Sequence, residues 1–114
     1  MNKSPGTGSS TDGSAGDGYR PAEQAAHYDA KQRRLYLGSD LKHAYLNRRE
    51  LEVLRLILQG FKSGEIAHRL KLKQGTVYWY ADRIKQKLRC SRRSLLRDAV
   101  IRHGLSTLLD EVVL

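Results

Sequence analysis

The chain has 114 residues, with 21 Lys and Arg against 12 Asp and Glu, a formal net charge of +9 and a pI near 10.0. That length suits one small domain with a tail and leaves no room beside it for a sensing domain of ordinary size. The charge points to a polyanionic partner, one cysteine excludes an internal disulfide framework, and no apolar run approaches the ~20 residues of a membrane span. No apolar stretch follows Lys3, so no secretory signal is expected. The expectation is a soluble cytoplasmic protein without a membrane partner.

Residues 1–18 contain five Gly and four Ser, and only Met1 and Ala15 carry small or flexible apolar side chains. Nothing there offsets the entropy of ordering the backbone, which predicts a disordered tail. Over residues 19–45, Pro21 suits a first helical turn and AEQAAHYDAKQRRLYL holds good helix formers up to Gly38. The segment therefore reads as an accessory helix over 21–37 followed by a linker. Asn47 followed by Glu50 has the spacing of a capping box, and ELEVLRLILQ continues as a helix to Gly60. Ser63 can cap a short second helix, GEIAHRL. A third helix runs through QGTVYWYADRIKQKLR, and SRRSLLRDAVIRH gives a fourth that stops at Gly104. No strand-like alternation interrupts them, so the expected class is all-α. The last stretch, 106–114, extends this helically, with Leu105, Leu108, Leu109, Val112 and Val113 on one face. That face can extend the core or the dimer contact, or bind a partner.

Helical pitch assigns the faces. In the third helix Val77, Ala81, Ile84 and Leu88 share a stripe, while Tyr78, Trp79, Asp82, Gln86 and Arg89 point broadly away. In the first, Val53, Leu54 and Ile57 form the stripe, and Leu51 and Leu58 widen it. The accessory helix is expected to cover that wider strip, unless the two leucines are simply half-exposed.

A short helix, a tight connection and a longer helix make a helix-turn-helix, whose second helix suits the DNA major groove. Charge agrees. Residues 1–46 hold six basic and five acidic side chains, net +1, and residues 47–114 hold 15 and seven, net +8. Lys62, Arg69, Lys71, Lys73, Arg83, Lys85, Lys87 and Arg89 all flank or sit on the reading unit.

Several features together resemble the LuxR-type (GerE-like) helix-turn-helix domain over residues 46–105. They are Leu46, Arg49-Glu50, Glu52-Val53-Leu54, Gly60, Glu65-Ile66-Ala67, Leu70, Gly75-Thr76-Val77, Ile84, Lys87-Leu88 and Arg102-His103-Gly104-Leu105. The resemblance implies a four-helix bacterial transcription-factor domain that binds double-stranded DNA as a homodimer, at the nucleoid. It also implies that the fourth helix makes the dimer contact, with Leu95, Leu96, Ala99, Val100 and Leu105 as the candidates. The reading face departs from the family's pattern. Lys73 replaces a usual Ser or Thr cap, Tyr78 a basic residue, Tyr80 a common His, Asp82 a polar or basic reader, and Gly64 a Lys.

The helix over 74–88 is expected in the major groove, with Gln74, Tyr78, Trp79, Asp82 and Gln86 as base-reading candidates. Lys62, Ser63, Lys71, Lys73, Thr76, Arg83, Lys85 and Lys87 are candidates for phosphate. The face has three readings. Asp82 can accept from cytosine N4, Gln74 or Gln86 can pair adenine, and Tyr78 or Trp79 can pack on thymine methyls. Alternatively Tyr78, Trp79 and Asp82 form a protein-binding patch, used to heterodimerise with another regulator or to hold RNA polymerase. Thirdly, the aromatics are partly structural, with Tyr80 near the Val77 stripe. A fragment resembling region four of a sigma factor is a further alternative, and the GTV turn and the Arg-His-Gly-Leu ending speak against it. His27, His43, His68, His103 and Cys90 share no metal-ligand spacing, so no metal and no cofactor are expected, with Cys90 a buried reduced thiol. No catalytic constellation is present, so the chain does not read as an enzyme.

Overall fold

The computed structural model describes residues 25–112. The expected tail, Pro21 and the start of the expected accessory helix, and Val113 at the other end, lie outside these residues. Strands β1 (His27–Asp29) and β2 (Arg34–Tyr36) make an antiparallel hairpin, and β3 (Tyr45–Leu46) pairs with the other edge of β2. The register sets His27 opposite Tyr36, Asp29 opposite Arg34, Leu35 opposite Leu46 and Tyr36 opposite Tyr45.

This sheet replaces the accessory helix over its described part, residues 25–37, and adds a small β element to a fold that is otherwise mostly helical, as expected. Helix propensity is a weak prior that tertiary packing overrides. Leu35 and Leu37 are buried on either side of half-buried Tyr36, a period-two pattern that a helix cannot present to one core. The turn is closed by the Asp29 carboxylate, which accepts from the amides of Lys31 (3.0 Å) and Gln32 (3.2 Å), and by Arg33 in the left-handed region at φ 54°. The segment still supplies Leu35, Leu37 and Leu41 to the core beside Leu51 and Leu54, in strand and turn geometry.

Five helices follow: α1 (Arg48–Leu58), α2 (Ser63–Leu70), α3 (Gln74–Lys87), α4 (Leu96–Arg102) and α5 (Ser106–Glu111). A 3-10 turn at Arg93–Leu95 leads into α4. Helix α1 opens with the capping box read from its sequence. The Glu50 amide donates to Asn47 Oδ1 and the Asn47 amide to Glu50 Oε1, each at 2.9 Å. It closes in a Schellman arrangement: Gly60, at φ 94°, donates to the Ile57 carbonyl (3.0 Å) and Phe61 to that of Leu56 (3.1 Å). Ser63 does not cap α2. Lys62 occupies the cap position, its amide donating to Glu65 Oε1 at 2.8 Å, while the buried Ser63 hydroxyl accepts from Arg93.

One core joins these parts. Val77, Ile84 and Leu88 of the α3 segment, Val53 and Leu54 of α1, and Leu96, Ala99 and Val100 of α4 are all within it. Leu105, Leu109 and Val112 join the same cluster, so the apolar face of the last stretch is core. Arg55 holds α5 in place by donating to the carbonyls of Leu109 (2.7 Å) and Val112 (2.5 Å).

Glu50 is fully buried and carries more than its cap. Lys87, at the end of α3, donates to its two carboxylate oxygens at 2.8 and 2.9 Å and to the Tyr45 carbonyl at 2.9 Å. Arg83 Nε lies 3.5 Å from the same carboxylate. Removing one partner of a buried pair leaves the other uncompensated, at a cost of roughly 3–5 kcal/mol. Lys87 keeps a fifth of its side chain exposed, which moderates this. Glu50→Ala should therefore cost about 3 kcal/mol, out of a typical total of ~5–15 kcal/mol. In urea unfolding followed by circular dichroism the midpoint should fall sharply, and Glu50→Gln, which keeps the shape and an acceptor, should lose less.

Candidate nucleic-acid interface

Helix α3 is amphipathic in the manner its sequence predicts. Val77, Ala81 and Ile84 are buried against the core. On the other side Tyr78 and Trp79 remain 52% and 54% exposed, large values for aromatic side chains on a small domain. Asp82 and Gln86 continue the Tyr78 row at successive turns, and Gln74 precedes it by one turn. All three are exposed. The five base-reading candidates thus share one outward arc.

Within that arc the side chains are coupled. Gln74 Nε2 donates to the Tyr78 hydroxyl at 3.1 Å. Trp79 meets Tyr80 edge-on at 5.1 Å between centroids, and the Arg83 guanidinium lies 4.8 Å above the Trp79 ring. Such cation–π contacts hold an aromatic in one orientation while leaving one of its faces open. Tyr80 itself is half-buried against the core, so its role is structural at least in part. Asp82 is paired with Lys85 at 3.2 Å, which offsets its negative charge at the centre of the face.

The phosphate candidates fall into two groups. Lys62, Lys71 and Lys73 are exposed around the turns that bracket α2, and Arg83 is half-exposed beside Trp79. Lys71 sits in the left-handed region at φ 58°, which projects it from the tight turn before α3. Thr76 is half-buried. The others already have partners: Ser63 is buried beneath Arg93, Lys87 is held by Glu50 and Tyr45, and Lys85 pairs at the surface with exposed Asp82. A shallow groove of about 1080 Å³, with Phe61, Gly64, Gln74, Tyr78 and Arg93 on its walls, opens beside the reading arc.

The dimer candidates need correction. Leu96, Ala99, Val100 and Leu105 are buried in the protomer's own core, so they cannot form the surface a second copy meets. Leu95, 42% exposed, remains available, and Ile101, which the sequence reading passed over, is 60% exposed on the same helical segment. The stripe Leu96, Ala99, Val100 has the i, i+3, i+4 spacing of either a core or an interface, and spacing alone does not separate them. Cys90 is half-buried rather than buried, with its Sγ donating to the Arg92 carbonyl at 2.9 Å. Sequence reasoning also missed Arg93 and Arg97, which donate to the carbonyls of Phe61 and Leu58 across 32 and 39 residues of chain. No local signal marks such contacts.

Among the described residues no group of three or more His, Cys, Asp or Glu is placed to hold a metal ion, and no helix is long and apolar enough to cross a membrane. A family model described as bacterial regulatory proteins, luxR family, matches residues 44–99. No curated protein and no solved structure matches the chain.

Helix α3 starts without a side-chain cap, because Lys73 at the cap position has no acceptor to offer. Restoring an acceptor by Lys73→Ser should stabilise the fold by about 1 kcal/mol. For a domain of this size that raises the melting temperature by roughly 4–8 °C in a thermal scan. The same change removes a cation from the turn, so DNA affinity should move in the opposite direction.

Proposed function

Starting from a domain of the LuxR family of bacterial regulatory proteins, which these residues constitute and which makes the chain a DNA-binding transcription regulator, we propose that it acts as a homodimer and lays α3 in the major groove. The single observation that carries this reading is the outward arc of α3. Tyr78, Trp79, Asp82 and Gln86 are exposed there, and the opposite face of the same helix is anchored in the core. Lys62, Lys71, Lys73 and Arg83 frame that arc and supply the contacts to phosphate. Exposed Leu95 and Ile101 supply the apolar centre of the dimer contact. A dimer reads two half-sites about one turn of DNA, roughly 10 bp, apart.

The chain holds one tryptophan, and it lies on the reading arc. Its fluorescence is therefore a built-in reporter and should change when duplex DNA is added. Four cations per protomer predict that log K falls against log salt with a slope of about −7 for the dimer. A flat salt response, or a protein that stays monomeric in light scattering, would sink the proposal. Ile101→Arg should weaken the dimer without unfolding the protomer, since the side chain it replaces is exposed.

A second reading has its own support. Two exposed aromatics and a carboxylate make an unusual DNA face and an ordinary protein-binding one. In this reading Tyr78, Trp79 and Asp82 capture another regulator or RNA polymerase. Trp79→Ala decides between them. If α3 reads bases, the change weakens a selected operator far more than random DNA. If the face binds protein, gel-shift retention is unchanged and partner capture is lost.

A further inference from the structure

The three-stranded sheet lies outside the helices that the DNA reading uses, and its hairpin tip is strongly basic. Lys31, Gln32 and Arg33 are exposed at the β1–β2 turn, and Arg34 follows at the start of β2. We propose that this tip is a second DNA contact, in which Lys31 and Arg33 meet the phosphate backbone flanking the groove occupied by α3. The inference rests on the DNA reading of α3 and extends its footprint.

Strand β3 runs directly into α1, and β2 pairs with it so that Tyr36 faces Tyr45 and Leu35 faces Leu46. Continuing that register brings Arg34 level with Asn47, the cap of α1. The tip therefore projects past the start of the first helix of the reading unit. In the homeodomain, one three-helix DNA reader, the arm just before the first helix reaches DNA beside the reading helix.

Lys87, from the last turn of α3, donates to the Tyr45 carbonyl, and its ammonium lies 5.4 Å from the centre of the Tyr45 ring. The Arg34 guanidinium lies 4.3 Å from the centre of the same ring. Tyr45 thus couples the base of the tip to the end of the reading helix. His27 stacks on Tyr36 at 5.1 Å, and Tyr36 is 5.5 Å from Tyr45, so the outer face of the sheet is braced by its own rings.

The Asp29 carboxylate is occupied by the amides of Lys31 and Gln32, so the nearest acid is turned to holding the loop. Arg34 donates to Gln32 Oε1 and to the Tyr36 hydroxyl, both at 3.5 Å, and the Tyr36 hydroxyl donates to Gln32 Oε1 at 3.0 Å. The Tyr36 hydrogen bond, more than any neighbouring charge, raises the Arg34 pKa further above a range where arginine is already cationic. A loop fixed before contact loses little entropy on binding.

Lys42 provides the control. It is an exposed cation in the β2–β3 connection, at the opposite end of the sheet. Lys31→Glu, Arg33→Glu and Lys42→Glu change the net charge equally. Each is titrated against a fluorescent 30-bp mixed-sequence duplex by anisotropy over a salt series, after circular dichroism has confirmed the fold. Either tip variant should lose about tenfold in affinity at 100 mM salt, with the slope of log K against log salt shallower by about 1 per protomer. Lys42→Glu should change affinity less than about twofold and leave the slope alone. If the three variants behave alike, the tip makes no contact of its own and the inference falls while α3 binding stands. If the parent protein shows no salt-dependent binding, the reading of α3 fails first and the tip with it.

Discussion

A single carboxylate ties the architecture together. Glu50 closes the first turn of α1 through Asn47, receives Lys87 from the far end of α3, and lies within 3.5 Å of Arg83. Lys87 in turn reaches the Tyr45 carbonyl, which brings the sheet into the same cluster. Strand β3, the α1 that follows it and the distant α3 are thereby set at fixed relative positions. A buried ion pair contributes less to net stability than its Coulomb attraction suggests, because desolvation opposes it. Its contribution here is geometric: the angle of α3 relative to α1 depends on a contact that tolerates little displacement.

The positive charge divides by use. Arg55, Arg93 and Arg97 satisfy backbone carbonyls, and Lys87 satisfies Glu50. Cations at helix ends of negative polarity are stabilising, so these four act on the fold. Many of the exposed cations gather around α3 and the turns beside it, with a second group at the hairpin, while others such as Lys42, Arg48 and Arg102 lie elsewhere. Hydrogen bonds to neutral carbonyls leave the arginine charges in place, so the net charge stands, and its distribution locates the field more sharply than the total does.

How far the sequence foretold the molecule varied with the range of the interactions involved. The capping box at Asn47 and Glu50, the stop at Gly60 and the stripe Val77–Ala81–Ile84–Leu88 are written within a turn or two of helix, and the structure repeats them. The hairpin escaped because each of its long strands is three residues, too short for alternation to stand out from a helical background. Leu96, Ala99 and Val100 were misassigned to an interface because a core stripe and an interface stripe have one spacing. The missing cap at Lys73 was legible, since an acceptor is either present in the side chain or absent.

That missing cap has an electrostatic side. The first turn of α3 is the positive pole of the longest described helix, and Lys73 adds a charge of the same sign to it. The unbound protein thus holds like against like at the spot where its reading helix begins. In the proposed DNA complex a phosphate there would remove the repulsion and supply the acceptor oxygen that the side chain lacks. An anion bound at that end would therefore also steady the helix, which links occupancy there to local stability.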